Sequence, residues 1–310
     1  MCAACSAQGT SNQCPTCRDL SPIGFPYDGN TDLGTLWNHA TASFQRELVM
    51  VVVAGLIFFA FALGGGLVSN VISKIIGSIL GLEVDPTNPF KNLRGFGLNF
   101  LSSQVIAAIV NLAVQGIALV GLYRVLMDAL VGKKADLARM FSQLHVLPNY
   151  IAMHVIMFFL ITLPTLVYFG VVGFVGGRLI GLDWSHPGDF HPDRLSSGGA
   201  FGALFGLILF SVMVFLVAEI VLLPVMLFAT PELMVGQCGP VEALKRAWDL
   251  GNGQRLRCFG YSFIAGLLMI AGAFACLVGV LAALPVAYML ILSLFLALRK
   301  SSSLPPAIHT

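Results

Sequence analysis

Residues 258–298 read CFGYSFIAGLLMIAGAFACLVGVLAALPVAYMLILSLFLAL, 41 residues without one Asp, Glu, Lys or Arg. At about 1.5 Å of rise per residue this run would extend about 60 Å as one helix, twice the roughly 30 Å hydrocarbon core of a bilayer. Hydrocarbon offers exposed backbone groups no partner, so a run this apolar must span as helix, and its length demands two spans folded back on each other. The small residues of AGAFACLVG (271–279) mark the fold-back.

The same reading extends along the rest of the chain. Charged residues make up 10% of it, against roughly a quarter in soluble domains, and hydrophobic residues 57%. Uncharged runs cover Leu48 to Ser73, Gly95 to Tyr123 and Met140 to Gly177, and Leu195 to Pro231 is broken only by Glu219. The expectation is an all-α polytopic membrane protein with six spans, near 48–70, 101–123, 150–176, 202–229, 258–276 and 279–298. No apolar segment with a cleavage site precedes the first run, so no signal peptide is expected.

Basic residues give the orientation, because cytoplasmic loops carry the excess of Lys and Arg. With the N-terminus inside, the inner segments hold Arg18, Arg46, Arg124, Lys133, Lys134, Arg139, Lys245, Arg246, Arg255, Arg257, Arg299 and Lys300. The outer segments hold Lys74, Lys91, Arg94, Arg178 and Arg194. Twelve against five predicts that both termini face the cytoplasm.

Each span that leaves the cytoplasm is preceded by an amphipathic stretch: LGTLWNHATASFQREL, KADLARMFSQLHVLPN and VEALKRAWDLGNGQRL. Leu33, Leu36, Trp37 and Phe44 fall at helical spacing, as do Leu137, Met140, Phe141 and Leu144, and Val241, Leu244 and Trp248. Short helices along the headgroups, each with an aromatic at the boundary, are expected. The repeated unit is interfacial helix, span out, loop, span back, three times over. Amphipathic loops are common in polytopic proteins, so the order alone does not require a true repeat.

The stretch PELMVGQCGPVEALKRAWDLGNGQRLRCFGYSFIAGLL resembles a broad bacterial six-span family. That family includes the membrane domain preceding some glycerophosphodiester phosphodiesterases, together with related membrane proteins of unknown function. Its members show a span ending near a proline, a Pro-Glu-like turn, an EALKRSW-like helix and a basic stretch entering the fifth span. Here those features are Pro224, Pro231, Glu232, Glu242 to Trp248, and Arg255 with Arg257. The resemblance covers residues 33–300 and implies architecture rather than activity. The phosphodiesterase domain of the family follows the spans, whereas this sequence continues ten residues past Lys300.

The chain opens MCAACSAQGTSNQCPTC, with Cys2 and Cys5 in one CxxC pair and Cys14 and Cys17 in another. Two such knuckles close a tetrahedral four-thiolate zinc site, with no coordination place left for a catalytic water. The pattern resembles the short zinc ribbons at the N-termini of many bacterial membrane proteins. A redox dithiol pair and a metal-free tail are the alternatives, although no βαβ context surrounds the cysteines. A ribbon this small takes its folding energy from structural zinc. Arg18 is the only cation in the first forty residues, so no nucleic-acid partner is expected. The division is a ribbon over 1–20, a linker over 21–32, a membrane domain over 33–300 and a tail over 301–310. Cys238, Cys258 and Cys276 read as small apolar residues.

Polar groups inside the spans are few. Glu219 is the one acidic residue well within a span, where a carboxylate is costly and tends to mark function. Gln104, Asn111 and Gln115 share one face of the second span, and Ser211 lies two turns before Glu219. Asn111, Gln115, Ser211 and Glu219 either line a polar path for a small solute or act as interhelical hydrogen-bond glue. His154 reads as a neutral hydrogen-bonding group. Gly202 and Gly206, with Gly170, Gly173, Gly176 and Gly177, suggest close helix approach. In the loop DWSHPGDFHPDR, His186, Asp189, His191 and Asp193 lie near one another in sequence, but the spacing matches no strong metal template. Phosphate-binding, serine-hydrolase, zinc-protease and dinucleotide motifs are missing from the sequence.

The expected function is therefore a non-enzymatic accessory, scaffold or membrane-organising protein. Its expected partners are the lipid bilayer and a protein partner or second copy. The alternative is a transporter or channel for a small polar solute, using Glu219.

Overall fold

Each apolar run is helical through most of its described length. The computed structural model describes residues 31–79, 93–179, 198–236 and 238–302. It holds six helical segments long and apolar enough to cross a membrane: Leu48–Ile72, Ile109–Leu130, Leu137–Val175, Phe205–Val235, Arg255–Phe274 and Gly279–Ser301. No strand occurs among the described residues. The chain is a multi-pass, all-α membrane protein. The four N-terminal cysteines, the linker up to Asn30 and the 183–194 loop lie outside the described residues.

In chain order the elements are α1 (Leu33–Arg46), α2 (Leu48–Ile79) and α3 (Leu93–Leu130). Two 3-10 turns follow (Leu137–Phe141 and Leu144–Val146). Then come α4 (Leu147–Met157), a π turn (Phe158–Thr162), α5 (Leu163–Leu179), α6 (Gly198–Val235), α7 (Pro240–Gly251), α8 (Arg255–Phe274) and α9 (Cys276–Ser301). Local chemistry explains the boundaries. Asp32 caps α1, its Oδ2 accepting from the Thr35 N–H at 3.2 Å, and Asp136 caps the first 3-10 turn in the same way. Gly132 closes α3 in a left-handed conformation (φ 86°), and the Lys133 N–H reaches back to the Asp128 carbonyl at 2.9 Å. Pro240 starts α7, where its missing N–H costs nothing.

The fold-back inside the long uncharged run is tight, with Ala275 alone separating α8 from α9. A Cβ at Gly272 would lie 2.8 Å from the Gly279 carbonyl oxygen, so only glycine lets the two backbones approach this closely. The expected turn lies where the small residues are.

Several boundaries run past expectation. Helix α2 continues past Asn70 to Ile79. The two longest helices are α3, which continues past Tyr123 to Leu130, and α6, which continues past Ala229 through Pro231 to Val235. At 38 residues each, both helices extend about 57 Å and overhang a bilayer core of about 30 Å. The overhangs carry Arg124, Asp128 and Glu232. Charge marks where hydrocarbon ends; backbone hydrogen bonding carries the helix further.

The interfacial elements also differ. The second is a pair of 3-10 turns; Asp136 and Ser142 divert backbone bonds at the start and end of the first of them. All three elements are partly internal to the protein. Leu36 and Ala40 of α1, Met140 of the first turn, and Ala243 and Ala247 of α7 are buried in one core with α3 and α9. The small residues face inward, while Phe141, Val241 and Trp248 remain exposed.

The core is lopsided. Helix α9 is buried almost throughout from Ala283 to Arg299, and α3 from Val120 to Leu130. Tyr288 packs edge-on against Tyr123 and Phe58 with ring centroids 5.5 and 6.2 Å apart, and Phe295 lies against Phe228. By contrast, α5 and the first half of α6 leave most apolar side chains exposed, among them Leu166, Phe174, Phe205 and Phe210. These two meet through Phe169 and Phe215 and through Tyr168, whose hydroxyl donates to Ser211 Oγ at 3.4 Å.

The rod formed by α4 and α5 contains Pro164, which has no N–H for the Leu160 carbonyl and whose ring crowds it. The backbone widens into the π turn just before it, and Thr165 Oγ1 donates to the neighbouring Ile161 carbonyl at 2.7 Å.

Candidate functional site

The first polar group to place is the one inside the spans. Asn111 and Gln115 do come together: Gln115 Nε2 donates to Asn111 Oδ1 at 3.3 Å. Asn111 is also packed on α2, since a Cβ at Gly65 would lie 2.9 Å from its Oδ1. Ser211 donates to the Leu207 carbonyl at 2.7 Å and accepts from Tyr168 on α5. The first pair therefore faces α2 and Ser211 faces α5; no described hydrogen bond links them. Glu219 is half-buried and has no hydrogen bond or ion pair among the described residues. His154 Nδ1 donates to the Tyr150 carbonyl at 3.0 Å and its ring packs on Tyr150, as a neutral hydrogen-bonding group does. Gly170, Gly173, Gly202 and Gly206 have open space where a Cβ would stand, so among the described residues they bring no helices together. Among the described residues no three His, Cys, Asp or Glu gather as metal ligands do.

Charged groups cluster instead at one end of the bundle, where α3, α6 and α9 finish and α4 and α8 begin. Glu232, in the last turn of α6, is 0% exposed. Its Oε1 lies 3.2 Å from Arg246 Nη1 on α7, and its Oε2 lies 3.1 Å from Arg299 Nε on α9. Arg246 also reaches Glu242, one turn earlier on α7, at 2.5 Å. Bonds to two carboxylates hold the Arg246 guanidinium above its usual range, although partial burial works the other way. Beside them the buried Cys238 thiol lies 3.8 Å from the Glu232 carbonyl, and burial pushes its pKa up, so it is not a ready thiolate.

A second group forms on α3. Asp128, wholly buried, stands 3.2 Å from Arg139 of the first 3-10 turn and 3.6 Å from Arg124 one turn back. The same helix end is covered from outside. His39 Nε2 donates to the Leu130 carbonyl at 3.0 Å, and Arg46 Nη2 donates to the Ala129 carbonyl at 2.5 Å. Carbonyls at a helix C-terminus carry its negative pole, which a basic side chain complements.

The first group ties the ends of α6 and α9 to α7, and the second ties the end of α3 to the first 3-10 turn and to α1. Buried ion pairs contribute little net stability against an apolar core, but they penalise every arrangement that separates them.

Sequence spacing concealed part of this. Arg124 with Asp128, and Glu242 with Arg246, stand four residues apart, the spacing of neighbours on a helix face. The links from Glu232 to Arg299 and from Asp128 to Arg139 depend on tertiary packing and have no local signal.

Comparison with family models, curated proteins and solved structures finds no match for this chain.

Proposed function

We propose that this chain is a non-enzymatic scaffold or accessory protein of the bacterial cytoplasmic membrane. Its six-span body positions a cytoplasmic zinc-ribbon docking element built on Cys2, Cys5, Cys14 and Cys17. The observation that carries this reading is the ion-paired end: Glu232, Arg246 and Arg299, with Arg124, Asp128 and Arg139, spend buried charge on holding helix ends in place. Such an end suits a rigid platform for a partner. The six-span family resemblance supports the same architecture and assigns no reaction. The test is chemical crosslinking of intact membranes followed by purification of the full chain beside a C14S/C17S chain. A defined partner recovered with the first and lost with the second is expected; equal recovery counts against docking through the ribbon.

A second reading is favoured by one observation: Glu219, in the middle of α6, has no ion pair or hydrogen bond among the described residues. In a transporter or channel for a small polar solute, Glu219→Gln abolishes flux in proteoliposomes while the fold is kept. In a scaffold the same change leaves stability equal or higher, because it removes the cost of a half-buried carboxylate within a span while keeping a hydrogen-bonding amide.

A further inference from the structure

Helix α7 has two apolar stripes. Ala243, Ala247 and Leu250 enter the core, while Val241 (66% exposed) and Trp248 (37% exposed) face outward. The outward stripe continues onto α8 through Leu256, Phe259 and Phe263, all exposed, on a helix long and apolar enough to cross the membrane. Hydrocarbon therefore covers Phe263, and Trp248 stands toward the headgroups, where indoles concentrate.

Two cations flank that indole. Lys245 lies three residues before Trp248 on the same helix face and is exposed. Arg255, at the start of α8, places its guanidinium carbon 4.5 Å from the Trp248 ring centroid. Of the acids of α7, Glu242 is engaged by Arg246, and Asp249, one turn after Lys245, forms no ion pair with it and lies about 100° around the helix from Trp248. Arg257 is turned away, bonded to the Thr31 hydroxyl. From Pro240 to Phe263 there are four cations and two acids.

We propose that Lys245, Trp248 and Arg255 form a binding site for an anionic phospholipid of the adjacent leaflet. Its phosphate is held by the two cations and its acyl chains lie along Leu256, Phe259 and Phe263. Charge complementarity selects the headgroup, and continuity with the hydrocarbon-facing side of α8 selects a lipid over a soluble anion. Each basic residue near an anionic surface contributes roughly fivefold to lipid selectivity.

The test uses the full chain with Trp37→Phe and Trp184→Phe, which leaves Trp248 as the only indole, reconstituted in nanodiscs of phosphatidylcholine and phosphatidylglycerol in equal parts. Either lipid is brominated in turn and Trp248 emission is read. Stronger quenching by brominated phosphatidylglycerol is expected, with the preference reduced at least fivefold in K245Q/R255Q and retained in K245R/R255K. Equal quenching by the two lipids, or a preference that survives K245Q/R255Q, overturns the proposal. So does loss of the preference on adding inorganic phosphate at constant ionic strength, which would identify a site for a soluble anion. If K245Q/R255Q does not fold, the comparison of the two brominated lipids in the parent chain still decides.

Discussion

Glu232 Oε2 lies 3.1 Å from Arg299 Nε, and this single contact ties the end of α6 to the end of α9. Because the carboxylate also takes Arg246, one buried side chain closes a triangle among α6, α7 and α9. The sequence separates these residues widely; the bundle stacks them at one level.

That contact sets the first prediction. Glu232→Leu leaves Arg299 buried without its counterion, and breaking such a pair from one side costs about 3–5 kcal/mol. Replacing both, Glu232→Leu with Arg299→Leu, recovers most of the loss because no unpaired charge remains. Denaturant unfolding of the two variants in detergent measures the difference. A single variant as stable as the parent would show that the pair holds nothing together.

Packing at the α6–α7 corner gives the second. A Cβ at Gly251 would lie 2.1 Å from Pro224 Cβ, so Gly251→Ala forces α7 away from α6 and costs roughly 1–3 kcal/mol. Gly206→Ala meets nothing within 4 Å and sits inside α6, so it changes stability by no more than about 1 kcal/mol, in the favourable direction. Paired melting curves check the contrast; equal effects would contradict the close approach at Gly251.

The third concerns topology. From the excess of basic residues, the ion-paired end and both termini are expected in the cytoplasm. A cysteine introduced at Ser301 is expected to be shielded from an impermeant thiol reagent in intact cells, and one at Ser197 labelled. Labelling at Ser301 overturns the orientation.

Zinc provides the fourth. The full chain is expected to carry one zinc ion, with Zn–S distances near 2.3 Å, and the C14S/C17S chain to lose it. The spans should melt unchanged, since their stability comes from the core around α3 and α9. Elemental analysis with melting curves reads both; equal zinc in the two samples removes the four-cysteine assignment.

Much of the fold was legible in the sequence because the bilayer imposes a length on every apolar run. The fold-back near Ala275 was visible for the same reason, helped by Gly272 and Gly279. What stayed hidden was packing against the rest of the chain. Phe141, Trp248 and the GxxxG at Gly202 are conspicuous in the sequence but exposed, whereas the inconspicuous alanines at 40, 243 and 247 are buried beside Leu36 and Met140. Asn111 and Gln115 were readable as one face, since four residues of helix guarantee it. Their partner helix, and the carboxylate at Glu232 that anchors the bundle's end, required long-range contacts that no local period encodes.

The π turn at Phe158–Thr162 has a consequence for how the third span behaves under mutation. A widened turn accommodates one extra residue, which advances the helical phase by about 100°. Before it, Tyr150 and Met153 point into the core; beyond it, that azimuth belongs to a different set of positions. A scan of substitutions across 147–175 should therefore show its 3.6-residue rhythm of sensitivity break stride at Thr162. The span is one rod in length but two in phase.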